Sequence, residues 1–292
     1  PPRGGNVWIH VDEANKADAD KLIKAYNLDA DIIKDVFDPN ELPHIEYSED
    51  GRTLYVFLRK AWRSKTDQIK TLPLLVVVGD KDFITISQAH SNLPLNNIDI
   101  KTYSLQQSQY FLLLSLIYTI VSEYGGLVNH TSDVVHTMKY RLRSHEITNK
   151  DFYRFITIED NIAIYKYNLR AIISLIERLR DNQDIASNHD MIEAIDDILL
   201  YVRQLLASVE SSEHSVASLY NVYSTVANNT LNLRMKTLTI VMLVVTVPNI
   251  FYGMYGMHVA LPFANEPWAY WFVLGITVVI MLLIVILVRR SK

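Results

Sequence analysis

A row of small and oxygen-bearing side chains runs through an apolar stretch near the end of the chain. Its members recur every three or four residues: Asn232, Met235, Thr239, Met242, Thr246, Asn249, Gly253 and Gly256. This spacing places them on one face of a helix. Neutral oxygens on such a face hydrogen-bond to neighbouring helices in close packing, or they line a water-filled pore that passes ions. The residues alone leave both uses open.

This row lies in the first of two segments that are long enough to cross a bilayer. About 20 apolar residues span the hydrocarbon core as a helix, and Glu266 is the only charged residue between Thr237 and Val288. We therefore predict transmembrane helices at 237–257 and 268–288, joined by an extracytoplasmic loop at 258–267.

Basic residues flank the two spans on the same side: Arg234, Lys236, Arg289, Arg290 and Lys292. The positive-inside rule then places both ends of the chain, including the basic tail at 289–292, in the cytoplasm of a multi-pass plasma-membrane protein. The sequence begins at Pro1 rather than at a methionine, so we expect the natural chain to start earlier. It has no signal-peptide core, and the first span is expected to direct insertion.

Charge and residue content argue against several other functions. The chain has a net charge of −4 and no basic patch of the kind that binds nucleic acid. It has no cysteine, which excludes disulfides, thiolate metal sites and a cysteine nucleophile. The histidines form no HExxH motif, and no catalytic constellation is visible. We do not expect an enzyme.

The residues before the spans divide into an α/β region and a helical region. Strands are predicted at VWIHV (7–11), in a hairpin with Asp50-Gly51 at its turn, and in a second hairpin of LPLLVVV (72–78) and FITIS (83–87). From about Ser104 the pattern is helical. We predict an α+β cytoplasmic domain at 1–100, a helical bundle at 101–188 and a stalk helix at 189–236.

The stalk segment carries an apolar seam that resembles a coiled coil and is interrupted by Glu213. Its predicted members are Ile195, Leu199, Val202, Leu206, Val209, Val216, Tyr220, Tyr223 and Ala227. A continuous helix from the stalk into the first span would form a mechanical connection between the cytoplasmic part and the membrane.

The C-terminal part resembles the CorA family of divalent-cation channels. NLRMKTLT (232–239), Pro248, YGMH (255–258) and a second span ending in basic residues follow the order of that family, whose hallmark is Tyr-Gly-Met-Asn. The resemblance implies an α+β cytoplasmic domain, a long stalk helix and two transmembrane helices, assembled as a funnel-shaped homopentamer in the bilayer. It also implies transport of Mg²⁺, with Co²⁺ and Ni²⁺ as further candidates, and feedback gating by cytoplasmic Mg²⁺ without any other cofactor.

The same resemblance assigns roles to individual residues. The implied pore and selectivity residues are Asn232, Thr246, Asn249, Gly253, Gly256, Met257 and His258. Met235 and Leu238 match the family's apolar constriction, where dewetting blocks ions. Asp197 falls where the family's stalk carries a regulatory metal site, and a solvated helix face is the alternative. Glu266 is expected to attract cations to the loop.

One residue departs from the family motif, because His258 stands where the hallmark has asparagine. Imidazole favours Ni²⁺, Co²⁺ or Zn²⁺ over Mg²⁺ and titrates near neutral pH. Three interpretations stay open: Mg²⁺ transport with altered affinity, a shift to transition metals that includes proton-coupled Zn²⁺ transport, or a histidine that packs aside. A function of another class is a membrane-anchored sensor or binding protein without transport.

Overall fold

The computed structural model describes residues 7–79, 82–88, 105–143, 149–257 and 266–290. They form two compact units, Pro1–Tyr220 and Asn221–Lys292. The elements in chain order are β1 (Val7–Val11), α1 (Lys16–Tyr26), α2 (Ala30–Asp35), β2 (His44–Tyr47), β3 (Leu54–Arg63), β4 (Ile69–Val78), β5 (Asp82–Ser87), α3 (Leu105–Arg143), α4 (Asn149–Arg180), α5 (Gln183–Ala186), α6 (His189–Tyr255) and α7 (Ala269–Arg290).

The first unit is built on a five-stranded sheet in the order β1-β5-β4-β3-β2. β1 pairs with β5 in parallel, and the other neighbours are antiparallel. The structure confirms the predicted strand at 7–11 and both predicted hairpins. It adds a hairpin between β3 and β4, whose register runs from Leu54 opposite Val78 to Arg63 opposite Ile69.

Helices cover both faces of this sheet. Alternate residues of a strand point to opposite faces, and Tyr55 and Phe57 of β3 join one core cluster with Leu22 of α1 and Ile33 of α2. On the opposite side α3 lies against β3 and β4, and α4 lies against β2. Because both faces are covered, the central strands are almost continuously apolar.

Three helical segments among the described residues are long and apolar enough to cross a membrane by length and composition: Gln109–Arg141, His189–Tyr255 and Ala269–Ile286. The most apolar 18-residue stretch of Gln109–Arg141 is 56% buried within the protein. The corresponding stretches of His189–Tyr255 and Ala269–Ile286 are 0% and 17% buried. Leu113, Ile117 and Val121 of α3 are fully covered, as expected of a core helix. The second segment includes residues 237–255 of the predicted first span, and the third lies within the predicted second span at 268–288.

The buried seam of α6 in the first unit follows a heptad spacing, with the predicted member Leu199 buried beside it: Met191, Ile195, Ile198, Leu199, Val202, Leu205, Val209, Ser212, Val216 and Leu219. Leu206 and Tyr220 were wrong, because the seam passes through the residue before each of them. Ala227 was also wrong, since it is exposed, and Tyr223 is only partly buried. Glu213 does not interrupt the seam. It lies beside buried Ser212, and its carboxylate accepts a hydrogen bond from Lys166 Nζ of α4 at 2.7 Å.

Candidate functional site

The predicted polar row lies on α6 in the second unit, and every member that the structure describes is exposed. Its exposed members are Asn232, Met235, Thr239, Met242, Thr246, Asn249, Gly253 and Gly256, and the predicted pore residues Leu238 and Met257 are exposed on the same side. At about 100° per residue they occupy an arc about 120° wide. We call this set the α6 stripe.

The opposite side of α6 is apolar and partly covered. Its partly buried residues are Ile240, Val244, Val247, Pro248 and Phe251. On α7, Ala269, Val273 and Thr277 form a covered line that is 7%, 6% and 1% exposed. The second unit therefore covers aliphatic side chains of α6 and leaves the oxygen-bearing face of that helix open.

Threonine hydroxyl groups in this part of α6 are already bonded to the backbone. The side chains of Thr237, Thr239 and Thr246 donate to carbonyl oxygens four residues earlier at 2.9, 2.9 and 2.8 Å. Since each hydroxyl has one hydrogen, the oxygen keeps only lone pairs for other partners. Thr239 and Thr246 thus contribute hydrogen-bond acceptors to the α6 stripe.

The end of α6 is open around its glycines. A Cβ atom added at Gly253 would meet no atom within 4 Å, so packing within the chain does not require glycine there. The helix ends at Tyr255, and the amide of Gly256 still donates to the carbonyl of Tyr252 at 3.0 Å. His258, the residue that departs from the family motif, lies outside the described residues.

Met235 and Leu238 lie near the start of the membrane segment and are 53% and 49% exposed. Arg234 and Lys236, which flank Met235 in sequence, are also exposed. The stripe therefore changes from apolar side chains at this end to oxygen-bearing and small residues further along α6.

The predicted regulatory residue Asp197 is exposed on α6 in the first unit. Its neighbour Asp196 pairs with Arg180 at 3.3 Å, whereas the Asp197 carboxylate has no partner among the described residues. Within one chain, the described residues contain no group of three metal-ligating side chains. Glu266 is exposed immediately before α7.

The sequence analysis did not predict the covered line on α7, because the second span is apolar along its whole length. Thr277 is almost fully buried and donates to the carbonyl of Val273 at 2.7 Å. A signal was present in the sequence: Ala269 and Thr277 are small residues separated by two helical turns, a spacing typical of helix packing in membranes.

Comparison with known proteins assigns the chain to a family. A family model described as CorA-like Mg²⁺ transporter protein matches residues 3–290. The chain belongs to this family. CorA membership confirms the resemblance seen in the sequence, and it makes the protein a membrane transporter of the divalent-cation class rather than an enzyme.

A known transporter and its solved structure are similar to this chain over almost its whole length. The chain is 23% identical to the cobalt/magnesium transport protein CorA of Methanocaldococcus jannaschii, over 98% of this chain and 90% of that protein. The solved structure of that transporter matches with a TM-score of 0.77 at 19% identity, over 98% and 90% of the two chains. These matches confirm the predicted fold class, an α/β N-terminal part followed by a long helix and C-terminal helices.

Two further solved structures share the fold at lower similarity. The full-length CmaX protein matches with a TM-score of 0.70 and 14% identity, over 97% of this chain and 88% of that chain. The cytoplasmic domain of ZntB from Vibrio parahaemolyticus matches with a TM-score of 0.55 and 13% identity, over 78% and 89%.

Proposed function

We propose that the protein is a Mg²⁺ channel, with Co²⁺ and Ni²⁺ as further substrates, whose pore is lined by the α6 stripe of five identical chains. The observation that carries this proposal is the exposure of the stripe on the side of α6 away from its partly covered apolar face. The chain is also similar to a protein named for cobalt and magnesium transport, which supports the class of ion.

A ring of identical chains gives the stripe a suitable environment. Asn232, Thr246 and Asn249 are exposed in the single chain, and polar groups that face hydrocarbon without a partner are costly. Closed cyclic symmetry directs the same face of every copy to one axis. Five copies then enclose a narrow polar path, and the apolar side of α7 faces lipid.

The chemistry of the stripe suits a hydrated cation. Mg²⁺ loses its water ligands reluctantly, and those waters direct their hydrogens outward. A wall that passes the hydrated ion must therefore accept hydrogen bonds. Thr246 Oγ1 has committed its hydrogen to Met242, and the amide oxygen of Asn249 is a second acceptor. Anions, whose hydration shells direct oxygens outward, gain nothing from these acceptors.

Gating is assigned to two regions of α6. Met235 and Leu238 form an apolar constriction that excludes water and ions when five copies approach. Asp197 binds cytoplasmic Mg²⁺ together with a neighbouring copy and holds the closed state. Both termini lie in the cytoplasm, the stalk spans 189–236, and Glu266 attracts cations at the outer loop.

The identity of His258 favours one alternative function, proton-coupled Zn²⁺ transport on the same fold. A ring of imidazoles prefers Zn²⁺ to Mg²⁺ and changes charge near neutral pH. In the Mg²⁺ channel that we propose, neutral His258 instead accepts a hydrogen bond from the hydration shell of the ion at its unprotonated ring nitrogen. A membrane-anchored sensor without transport is the alternative of another class, and it does not require the α6 stripe.

Cation uptake into liposomes that contain the purified protein separates these functions. Mg²⁺, Co²⁺, Ni²⁺ and Zn²⁺ are supplied in turn, with a pH-sensitive dye inside. We expect Mg²⁺ uptake without acidification, and His258→Asn should raise that uptake and weaken its pH dependence. Zn²⁺ uptake with a pH change and without Mg²⁺ uptake would favour the zinc transporter. Absence of any flux would leave only the sensor.

A further inference from the structure

A basic cleft lies in the first unit, far in sequence from the α6 stripe. It has a volume of about 490 Å³ and is lined by the β3–β4 turn, the C-terminal third of α3 and the first half of α4. This volume is in the range of pockets that hold small organic ligands. We call it the α3–α4 cleft.

Cationic side chains outnumber carboxylates in its walls. Arg63, Lys65, Arg141 and Arg154 line the cleft, against Asp67 and Asp133. The whole chain has a net charge of −4, so a locally positive cleft runs against the overall charge. Concave surfaces of one sign concentrate ions of the opposite sign, and this cleft therefore favours an anion.

Buried hydrogen bonds fix two of the walls. Asn161 of α4 is 4% exposed, donates to the carbonyl of Asp67 and accepts from the amide of Ile69, each at 2.8 Å. It thereby ties the β3–β4 turn to α4. Buried Thr131 of α3 pairs with Tyr165 of α4 at 3.1 Å. The shape of the cleft is thus set before any ligand arrives, which lowers the entropic cost of binding.

The arginines of the cleft differ in whether their guanidinium groups already have hydrogen-bond partners. Arg63 donates to His130 Nε2 of α3 and to the exposed carboxylate of Asp67 at 3.4 Å, an exposed ion pair that neutralises its charge only weakly. Arg141 donates to the carboxylate of Asp151 at 2.9 Å, and Asp151 is only 6% exposed. Arg154 is exposed and has no hydrogen-bond or ion-pair partner among the described residues. A guanidinium fork without a carboxylate is suited to bidentate binding of phosphate.

The floor of the cleft is apolar. Val134, Met138 and Ile158 contribute to its lining, and Met138 and Ile158 are 5% and 4% exposed. An apolar floor beside a cationic rim matches a ligand with a flat organic part and a phosphate group. We propose that the α3–α4 cleft binds a phosphate-bearing anion of nucleotide size, through Arg63 and Arg154.

Isothermal titration calorimetry on the full-length protein in detergent tests this site. The probes are ATP, pyrophosphate, inorganic phosphate and adenosine, all with EDTA so that chelation of Mg²⁺ contributes no heat. Arg154→Ala and Arg63→Ala remove the two proposed phosphate ligands. Arg178→Ala is the matched control, because Arg178 is also an exposed and unpaired arginine on α4, about 36 Å further along the helix at 1.5 Å per residue.

We expect saturable binding of ATP or pyrophosphate that weakens about tenfold in Arg154→Ala and in Arg63→Ala and is unchanged in Arg178→Ala. Binding of ATP alone identifies a nucleotide as the ligand, and binding of pyrophosphate or phosphate as well identifies the phosphate group as sufficient. The proposal is overturned if adenosine binds as well as ATP, if no probe saturates, or if Arg178→Ala weakens binding equally. Because Arg154 has no partner in the part of the chain that the structure describes, its loss should leave the unfolding temperature unchanged.

Discussion

Thr246 donates its hydroxyl hydrogen to the carbonyl oxygen of Met242 at 2.8 Å, so the exposed side of this hydroxyl carries only lone pairs. A threonine in this state differs from a solvent-facing threonine, which can both donate and accept. In the five-chain pore that we propose, these threonine oxygens would form a ring of acceptors. That ring is complementary to the hydrogens on the water shell of a divalent cation.

Replacement of Thr246 by valine should therefore reduce Mg²⁺ flux while preserving the shape of the side chain. Loss of one hydrogen bond per chain, worth about 1 kcal/mol, corresponds to a several-fold decrease. Thr246→Ser should keep most of the flux. Thr237→Val is the matched control, because Thr237 makes the same backbone bond but lies outside the stripe. Equal losses in Thr246→Val and Thr237→Val would show that the backbone bond, and not the pore, is responsible.

The apolar end of the stripe gives a second prediction. Leu238→Ser should make the constriction easier to wet, so Mg²⁺ flux should persist at internal Mg²⁺ concentrations that close the wild-type channel. Val241→Ser makes a similar change at an exposed apolar residue off the stripe. Flux into liposomes loaded with increasing Mg²⁺ measures the difference. A leak in Val241→Ser, but not in Leu238→Ser, would assign the constriction to another face of α6.

The members of the α6 stripe could be proposed from the sequence, because their common helix face follows from their spacing alone. The three- and four-residue spacing of Asn249, Gly253 and Gly256 defines a face of a helix without knowledge of any neighbour. Which face is covered depends on residues distant in sequence. The second span is apolar on every helix face. The sequence therefore could not show that the face with Val273 and Thr277 is the covered one.

The two adjacent aspartates on α6 give a third prediction. Asp197→Asn should weaken feedback inhibition, so that about tenfold more internal Mg²⁺ is needed to stop uptake, because a carboxylate ligand is lost. Asp196→Asn breaks an exposed ion pair with Arg180. We expect the latter change to leave feedback intact and to cost less than about 1 kcal/mol of stability. Uptake curves against internal Mg²⁺ distinguish the two variants, and a shift in Asp196→Asn alone would move the regulatory site to that residue.

A fourth prediction concerns two adjacent glycines in α3. A methyl group added at Gly125 would overlap the Tyr201 hydroxyl of α6, whereas one added at Gly126 would meet nothing within 4 Å. Gly126→Ala should stabilise the protein by up to about 1 kcal/mol, because alanine is the better helix former. Gly125→Ala should lower the unfolding temperature by displacing Tyr201.

Thermal unfolding of the full-length protein in detergent compares these variants. Adding Tyr201→Phe to Gly125→Ala removes the overlapping oxygen and should restore part of the lost stability. A Gly125→Ala variant that is as stable as Gly126→Ala would contradict the close approach of α3 and α6 at this point.

Contacts between residues distant in sequence were the part of the first unit that could not be predicted from the sequence. The hairpin turn at Asp50-Gly51 is a local signal and was predicted, whereas β1 pairs in parallel with β5 across more than 70 residues. The seam of α6 was displaced at Leu206 and Tyr220, because apolar residues flank the seam on both sides and only packing selects Leu205 and Leu219. The α3–α4 cleft joins residues 63–67 to residues 130–161, and no motif links them.

The central claim, that the α6 stripe lines the ion path, is tested most directly by thiol modification. The protein has no cysteine, so single substitutions Thr246→Cys, Asn249→Cys, Val244→Cys and Val247→Cys each place one thiol on an unreactive background. Mg²⁺ flux into proteoliposomes is measured before and after a charged methanethiosulfonate reagent. We predict that the reagent blocks flux through the Thr246 and Asn249 variants and leaves flux through the Val244 and Val247 variants unchanged. Block at Val244 and Val247, with none at Thr246 and Asn249, would contradict this assignment of the pore face.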